Sequence, residues 1–153
     1  MKNFIKKLDK IQYFLNNTVF EIVGEEAVSH YKKSFQDEGF TDKTLTKWKN
    51  VKRRENPRKK KRKQGNRPLA WDKAKILTQS GELGDSIKYS RGSGRYVIIS
   101  SDKAYAEVHN KGLRAGRGKG FRMPKRQFIG KSAALNKKID AKIKKHLDKI
   151  TKQ

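Results

Sequence analysis

The chain has 153 residues, of which 40 are Lys or Arg and 15 are Asp or Glu, giving a formal charge of +25; only 33% are hydrophobic. This is the length of one domain, and the composition predicts a thin core with part of the chain outside it. The absence of cysteine excludes disulfide frameworks, thiolate metal sites and cysteine nucleophiles. The longest apolar run is residues 96–99 and the N-terminus lacks an apolar leader core, so neither a membrane span nor a cleaved signal is expected.

Helical spacing opens the chain. Phe4, Leu8, Ile11 and Leu15 recur at steps of three and four, and so do Phe20, Val23, Ala27, Tyr31 and Phe35. Asn16-Asn17-Thr18 with Glu21 resembles a capping box, which predicts two helices or one kinked helix. Gly39 followed by apolar Phe40 reads as a helix stop with a hydrophobic contact beyond it. Trp48, alone in a polar stretch, reads as an anchor of that loop on the core.

Residues 52–67 hold ten basic residues and one acid, with Pro57 and Gly65 and no apolar side chain after Val51. Such a segment cannot pack as core and is expected to be an extended basic loop or arm. Residues 72–79 read as a short helix capped by Asp72 and stopped near Gly81. From Leu83 the period falls to two. Residues 86–89 and 95–100 predict strands joined by a turn at Arg91-Gly92-Ser93-Gly94. Residues 104–109 fit a third strand or a short helix equally well.

Residues 111–122 are a second basic segment, rich in glycine. They read either as a flexible solvated loop or as an arm that orders against a phosphate backbone or a neighbouring subunit. Residues 123–129 predict an edge strand with Pro124 near its start. Leu135, Ile139, Ile143, Leu147 and Ile150 mark a C-terminal helix with lysines on its other faces. The expected fold over residues 1–153 is a single α+β domain: N-terminal helices, a small antiparallel β-sheet and a C-terminal helix, with long basic loop arms.

Patterns that carry catalysis or cofactors are weak. His30, His109 and His146 lie far apart without paired-ligand spacing, and the acids form no close pair. Gly130-Lys131-Ser132 matches the end of a phosphate-binding loop, but Lys125 stands where that motif needs glycine. The expectation is no catalytic residue, no metal, no cofactor and no enzyme. The charge excess calls for a polyanionic or acidic partner, of which nucleic acid is the commonest.

The order of three short motifs narrows this. Thr78-Gln79-Ser80-Gly81-Glu82-Leu83-Gly84-Asp85-Ser86-Ile87 is followed by Tyr105-Ala106-Glu107-Val108-His109-Asn110-Lys111-Gly112, and then by Met123-Pro124-Lys125-Arg126-Gln127-Phe128-Ile129-Gly130. Over about residues 20–150 this resembles the bacteriophage virion-morphogenesis family of tail-completion and neck proteins. The resemblance implies a non-enzymatic structural subunit of the virion neck or tail, assembled in the bacterial host cytoplasm. It implies a homo-oligomeric ring, six-fold, at the head–tail junction. The partners would then be further copies, other neck and tail proteins and packaged DNA, with no membrane. The basic arm at 52–67 and the lysine-rich C-terminal helix depart from the family pattern. Composition by itself keeps a second reading open, a cellular sequence-nonspecific nucleic-acid-binding protein, although no nucleic-acid-binding fold signature is present.

Two groups of candidate site residues follow. Trp48, Gly81, Leu83, Tyr105, His109, Gly112, Pro124, Arg126 and Phe128 are expected to keep the scaffold or to form an inter-subunit contact. In that group Gly81, with Gly84, would permit a tight entry into a strand, while Tyr105 and His109 would bury their rings with partnered polar tips. Pro124 would set the chain direction, Phe128 would anchor it, and Arg126 would pair with a carboxylate in the same or a neighbouring subunit. Arg53, Arg54, Arg58, Lys59, Lys60, Lys61, Arg62, Lys63, Arg114, Arg117 and Lys119 are the expected contacts to DNA or an acidic surface.

Overall fold

The computed structural model describes residues 2–55 and 74–152. The first apolar stripe forms α1 (Lys2–Tyr13), which runs through one π-type turn (Phe14–Thr18) into α2 (Val19–Asp37). Thr18 keeps helical geometry and makes no side-chain cap, so the capping box does not form. A helix that does not stop has no orphan N–H groups there to satisfy. The wide turn shifts the inward face from Leu15 to Phe14. Leu15 is half exposed, whereas Phe14 is buried and stacks on His146 with ring centroids 5.8 Å apart.

α2 ends where predicted, but the left-handed residue is Glu38 (φ 50°), not Gly39. Gly39 instead begins β1 (Gly39–Thr41), which pairs antiparallel with β2 (Leu45–Lys47) in the register Gly39↔Lys47 to Thr41↔Leu45. A single turn of helix, α3 (Lys52–Glu55), follows. Most of the expected basic arm, including Arg58, Lys59, Lys60, Lys61, Arg62, Lys63 and Arg67, lies outside the described residues, as does Asp72.

The helix expected over 72–79 is not seen in its described part: residues 74–80 are turns and bends. The cause is competition for a donor, because the Ile76 N–H is taken by the Glu38 carboxylate at 2.7 Å. The helix forms one step later, as α4 (Glu82–Asp85), with Ser86 and Ile87 closing it through bonds to the carbonyls of Glu82 and Gly84. The first strand therefore starts at Lys88. β3 (Lys88–Arg91) and β4 (Val97–Ser100) form the expected antiparallel hairpin, with Lys88↔Ser100 and Arg91↔Val97 opposite each other.

Residues 104–109 resolve as helix, α5 (Ala106–Lys111). The second basic segment is a hairpin rather than a loop: β5 (Arg114–Ala115) pairs with β6 (Phe121–Arg122). The edge strand expected over 123–129 is not formed. That segment is extended, but its N–H groups go to α5 and its flanks, not to a ladder. The chain closes with α6 (Ala133–Lys152). The α+β reading holds, but among the described residues the strands make three separate two-stranded ribbons instead of one sheet.

The elements gather on α2, which packs on α6, on the β3–β4 hairpin, on β1 and on α4. Its buried face offers Ala27, Tyr31 and Phe35 to Phe40, Trp48, Ile76, Leu83, Ile87, Ala106, Phe128 and Leu135. Aromatic rings dominate this small core: Phe35 meets Trp48 edge-on at 5.6 Å and Phe128 at 5.0 Å. Gly24 lets the hairpin close on α2, because a Cβ there would lie 2.2 Å from the Tyr89 ring. The Arg91 guanidinium covers Phe20 at 4.1 Å from the same direction.

Candidate functional site

The three motif segments converge on the core side of α2. From the first, Leu83 and Ile87 are buried against the Phe35 region. Gly81 is left-handed (φ 76°) and starts α4, not a strand. Gly84 is not required by space, since a Cβ there would be 3.6 Å from Phe35, an ordinary contact. The tight entry into a strand expected from these glycines is therefore a tight entry into a helical turn.

The second and third segments are zipped together side by side. Asn110 is the clasp: its Oδ1 accepts from the Phe128 and Ile129 N–H groups at 2.8 and 3.0 Å, and its Nδ2 donates to the Ile129 carbonyl at 3.1 Å. The Arg126 N–H donates to the His109 carbonyl at 2.8 Å, and the Met123 N–H to the Leu113 carbonyl at 3.0 Å. Gly112 ends α5 in the left-handed region (φ 72°), and a Cβ on it would sit 2.9 Å from the Lys125 backbone nitrogen. Only glycine fits both the dihedral and the approach. Asn110 had no sequence signal of its own, because an Asn near a helix end is common.

Phe128 anchors this module as expected, at 1% exposure. Trp48 joins it from the other side, donating its indole N–H to the Gln127 carbonyl at 2.7 Å, and the Tyr31 hydroxyl donates to the Gly130 carbonyl at 2.9 Å. Ser132, the last residue of the rejected phosphate-loop match, caps α6: its Oγ accepts from Leu135 N–H at 3.1 Å and donates to the Thr41 carbonyl at 2.8 Å. Asp42 accepts from Ala133 N–H at 2.7 Å at the same helix start.

Other expectations are corrected. Tyr105 is 42% exposed and meets His109 edge-on at 6.0 Å, so its ring is not buried. His109 Nδ1 is buried without a hydrogen-bond partner, and burial together with the nearby Arg126 charge holds its pKa below the ordinary histidine value. Arg126 is buried, and among the described residues of its own chain it faces no carboxylate, which leaves the expected pairing to a neighbouring subunit untouched. Its Nη2 reaches the Lys49 carbonyl at 3.4 Å, and burial, then the Arg53 charge, lower its pKa from the usual arginine value. Pro124 is exposed at the outer edge of the segment.

Among the basic residues, Arg53 and Arg54 turn inward. Arg54 grips Glu38 with both terminal nitrogens, at 2.9 and 2.7 Å, and both arginines donate to the Ala74 carbonyl. This bidentate bond holds the Glu38 carboxyl below the usual carboxylate range. The two arginines thus secure the chain on either side of the arm, and their guanidinium groups are engaged before any partner arrives.

Arg114, Arg117 and Lys119 point the other way. They lie exposed on the β5–β6 hairpin with Leu113, Phe121 and Arg122, Phe121 being 58% exposed. Arg114 donates to the Lys119 carbonyl and braces the hairpin tip. The arrangement is a basic, partly apolar finger on a rigid base, able to bind phosphate or carboxylate groups and to insert a ring. Among the described residues no three His, Asp or Glu side chains gather in a metal-binding group, and no helix is long and apolar enough to cross a membrane. The sequence profile of the phage virion morphogenesis family matches residues 15–148. No curated protein and no solved structure matches the chain.

Proposed function

This chain belongs to the phage virion morphogenesis family, and from that premise we propose that it is a structural subunit of the neck, forming a ring at the head–tail junction. Membership gives a role in phage virion assembly. The ring, six-fold in this reading, completes the tail so that filled head and tail join, and it works through surfaces without catalysis. The observation that carries the proposal is the exposed hairpin of Arg114, Arg117, Lys119 and Phe121 built on the Asn110–Gly112 clasp. A ring multiplies such a finger around its axis, so modest contacts sum by avidity. Its targets are an acidic face of an adjacent ring or packaged DNA, and the basic residues 58–63 serve the same end.

The test replaces Arg114, Arg117 and Lys119 together with Ser in the phage and separates the lysate by sedimentation. Free filled heads and free tails should accumulate while the purified variant keeps its melting temperature. Normal yields of joined particles from the variant would overturn the proposal.

The charge of +25 favours one other reading, a sequence-nonspecific nucleic-acid binder. Sedimentation of the native protein after nuclease and high salt separates the two. A neck subunit stays with large particles, whereas a phosphate-bound protein is released.

A further inference from the structure

The edge of β4 turned away from β3 is open. The Gly92 N–H donates to the Tyr96 carbonyl at 3.1 Å, so alternation along the ladder turns the backbone groups of Ser90 and Ile98 toward each other. The N–H and C=O groups of Val97 and Ile99 then point outward, and no described residue bonds them. The strand is also unprotected. β2, β3, β5 and β6 each carry a lysine or an arginine, and the Thr41 carbonyl of β1 is taken by His30 and Ser132. β4 is Val97-Ile98-Ile99-Ser100, and a neutral apolar edge with free backbone groups is a template for another strand. On the face turned from α2, Tyr96 and Ile98 are 52 and 44% exposed. On the other face an open groove of about 410 Å³ runs from Ile99 and Ser100 to Ala106, Phe128 and Ile129.

We propose that β4 pairs antiparallel with β4 of a second copy across a two-fold axis at Ile98, making one sheet in the order β3–β4–β4–β3. Free backbone groups along an edge call for a strand as occupant, and three features select this chain's own. Pairing Val97 with Ile99 of the second copy, and the reverse, satisfies every outward N–H and C=O group, because the edge is complementary to itself under a two-fold. The same register sets Ile98 against Ile98 of the second copy, an apolar cross-strand pair in which each covers the other. It also turns Val97 of the second copy toward the groove beside Ile99. Charge agrees with this choice. Residues 96–101 carry none, and Arg95 of each copy comes opposite Ser101 of the other, next to Asp102. Two chains of +25 thus meet along a neutral line with opposite charges at its ends. A two-fold contact differs from the head-to-tail contact of a ring, so the inference does not rest on the neck assignment.

The test follows the full chain by analytical ultracentrifugation at about 1 to 100 µM in about 0.5 M sodium chloride, which screens the net charge. Ile98→Lys sets like charges face to face at the axis and should weaken pairing by about tenfold or more. A second variant reads the register directly. Ile98→Cys, in a chain otherwise without cysteine, should give a disulfide-linked dimer on mild oxidation, because facing Cα atoms in such a pair lie about 4.5 Å apart. Ser90→Cys, exposed on β3 and away from the axis, should stay monomeric on a non-reducing gel. The gel reads the contact whether or not rings also form, so failure of the ring reading leaves it standing. A chain that stays monomeric throughout would overturn the proposal, as would self-association that Ile98→Lys leaves unchanged. Equal cross-linking of the two cysteine variants would do the same.

Discussion

Glu38 ties together more of the chain than any other acid among the described residues. It ends α2 in a left-handed conformation, its carbonyl accepts the Trp48 N–H at 2.8 Å, and its carboxylate holds Arg54 and the Ile76 N–H. Glu38→Gln would remove the ion pair and keep the shape, at a cost of about 1–3 kcal/mol at neutral pH. The sign with pH is set by its lowered pKa. The unfolded chain binds the proton first on acidification. The contribution is therefore full above the ordinary carboxylate value of 4.5 and is lost as pH falls through the lower folded value. Urea melts of the native protein and of the variant should thus converge below that window and separate above it. None of this was legible in the sequence, where Glu38 was only the residue before a glycine. Trp48 and Phe128 were legible, because a large ring in a polar stretch has few places to go except the core.

At the scale of elements, the α5–hairpin–extended-strand module depends on one backbone approach. Gly112→Ala adds a side chain at φ 72° and drives it into the Lys125 backbone. The expected loss is roughly 1–3 kcal/mol, with faster amide exchange at Arg126 and Phe128, whose N–H groups cross that gap. Exchange unchanged at both amides would show that the clasp does not depend on Gly112. The motif order points to this module, yet the edge strand that the sequence predicts over 123–129 does not form. Alternating side chains set the extended shape, but the partner of each N–H is a tertiary matter, and here the partners are His109, Asn110 and Leu113. The π turn is illegible in the sequence for a related reason: Phe14 and Leu15 are both apolar, and only the position of His146 decides which one turns inward.

Over the whole molecule, charge is the governing fact. Among the described residues, ion pairs engage Glu26, Asp37, Glu38, Glu82 and Glu107, so these acids are turned to their own chain and leave the excess of Lys and Arg uncompensated. Self-repulsion of +25 should outweigh what screening takes from exposed pairs. Raising sodium chloride from about 0.05 to 0.5 M should therefore raise the melting temperature; a fall would mean that the local ion pairs dominate. The sequence by itself determined the class of the fold, its helical ends, the β3–β4 hairpin, the family and the basic character of the surface, because periodicity, turn residues and charge are local properties of the chain. Only the tertiary structure decided which basic residues face outward. Arg53, Arg54 and Arg126 are turned inward by acceptors and neighbours distant in sequence, while Arg114, Arg117 and Lys119 stay on an exposed hairpin; direction depends on what packing brings near, and no local pattern encodes it.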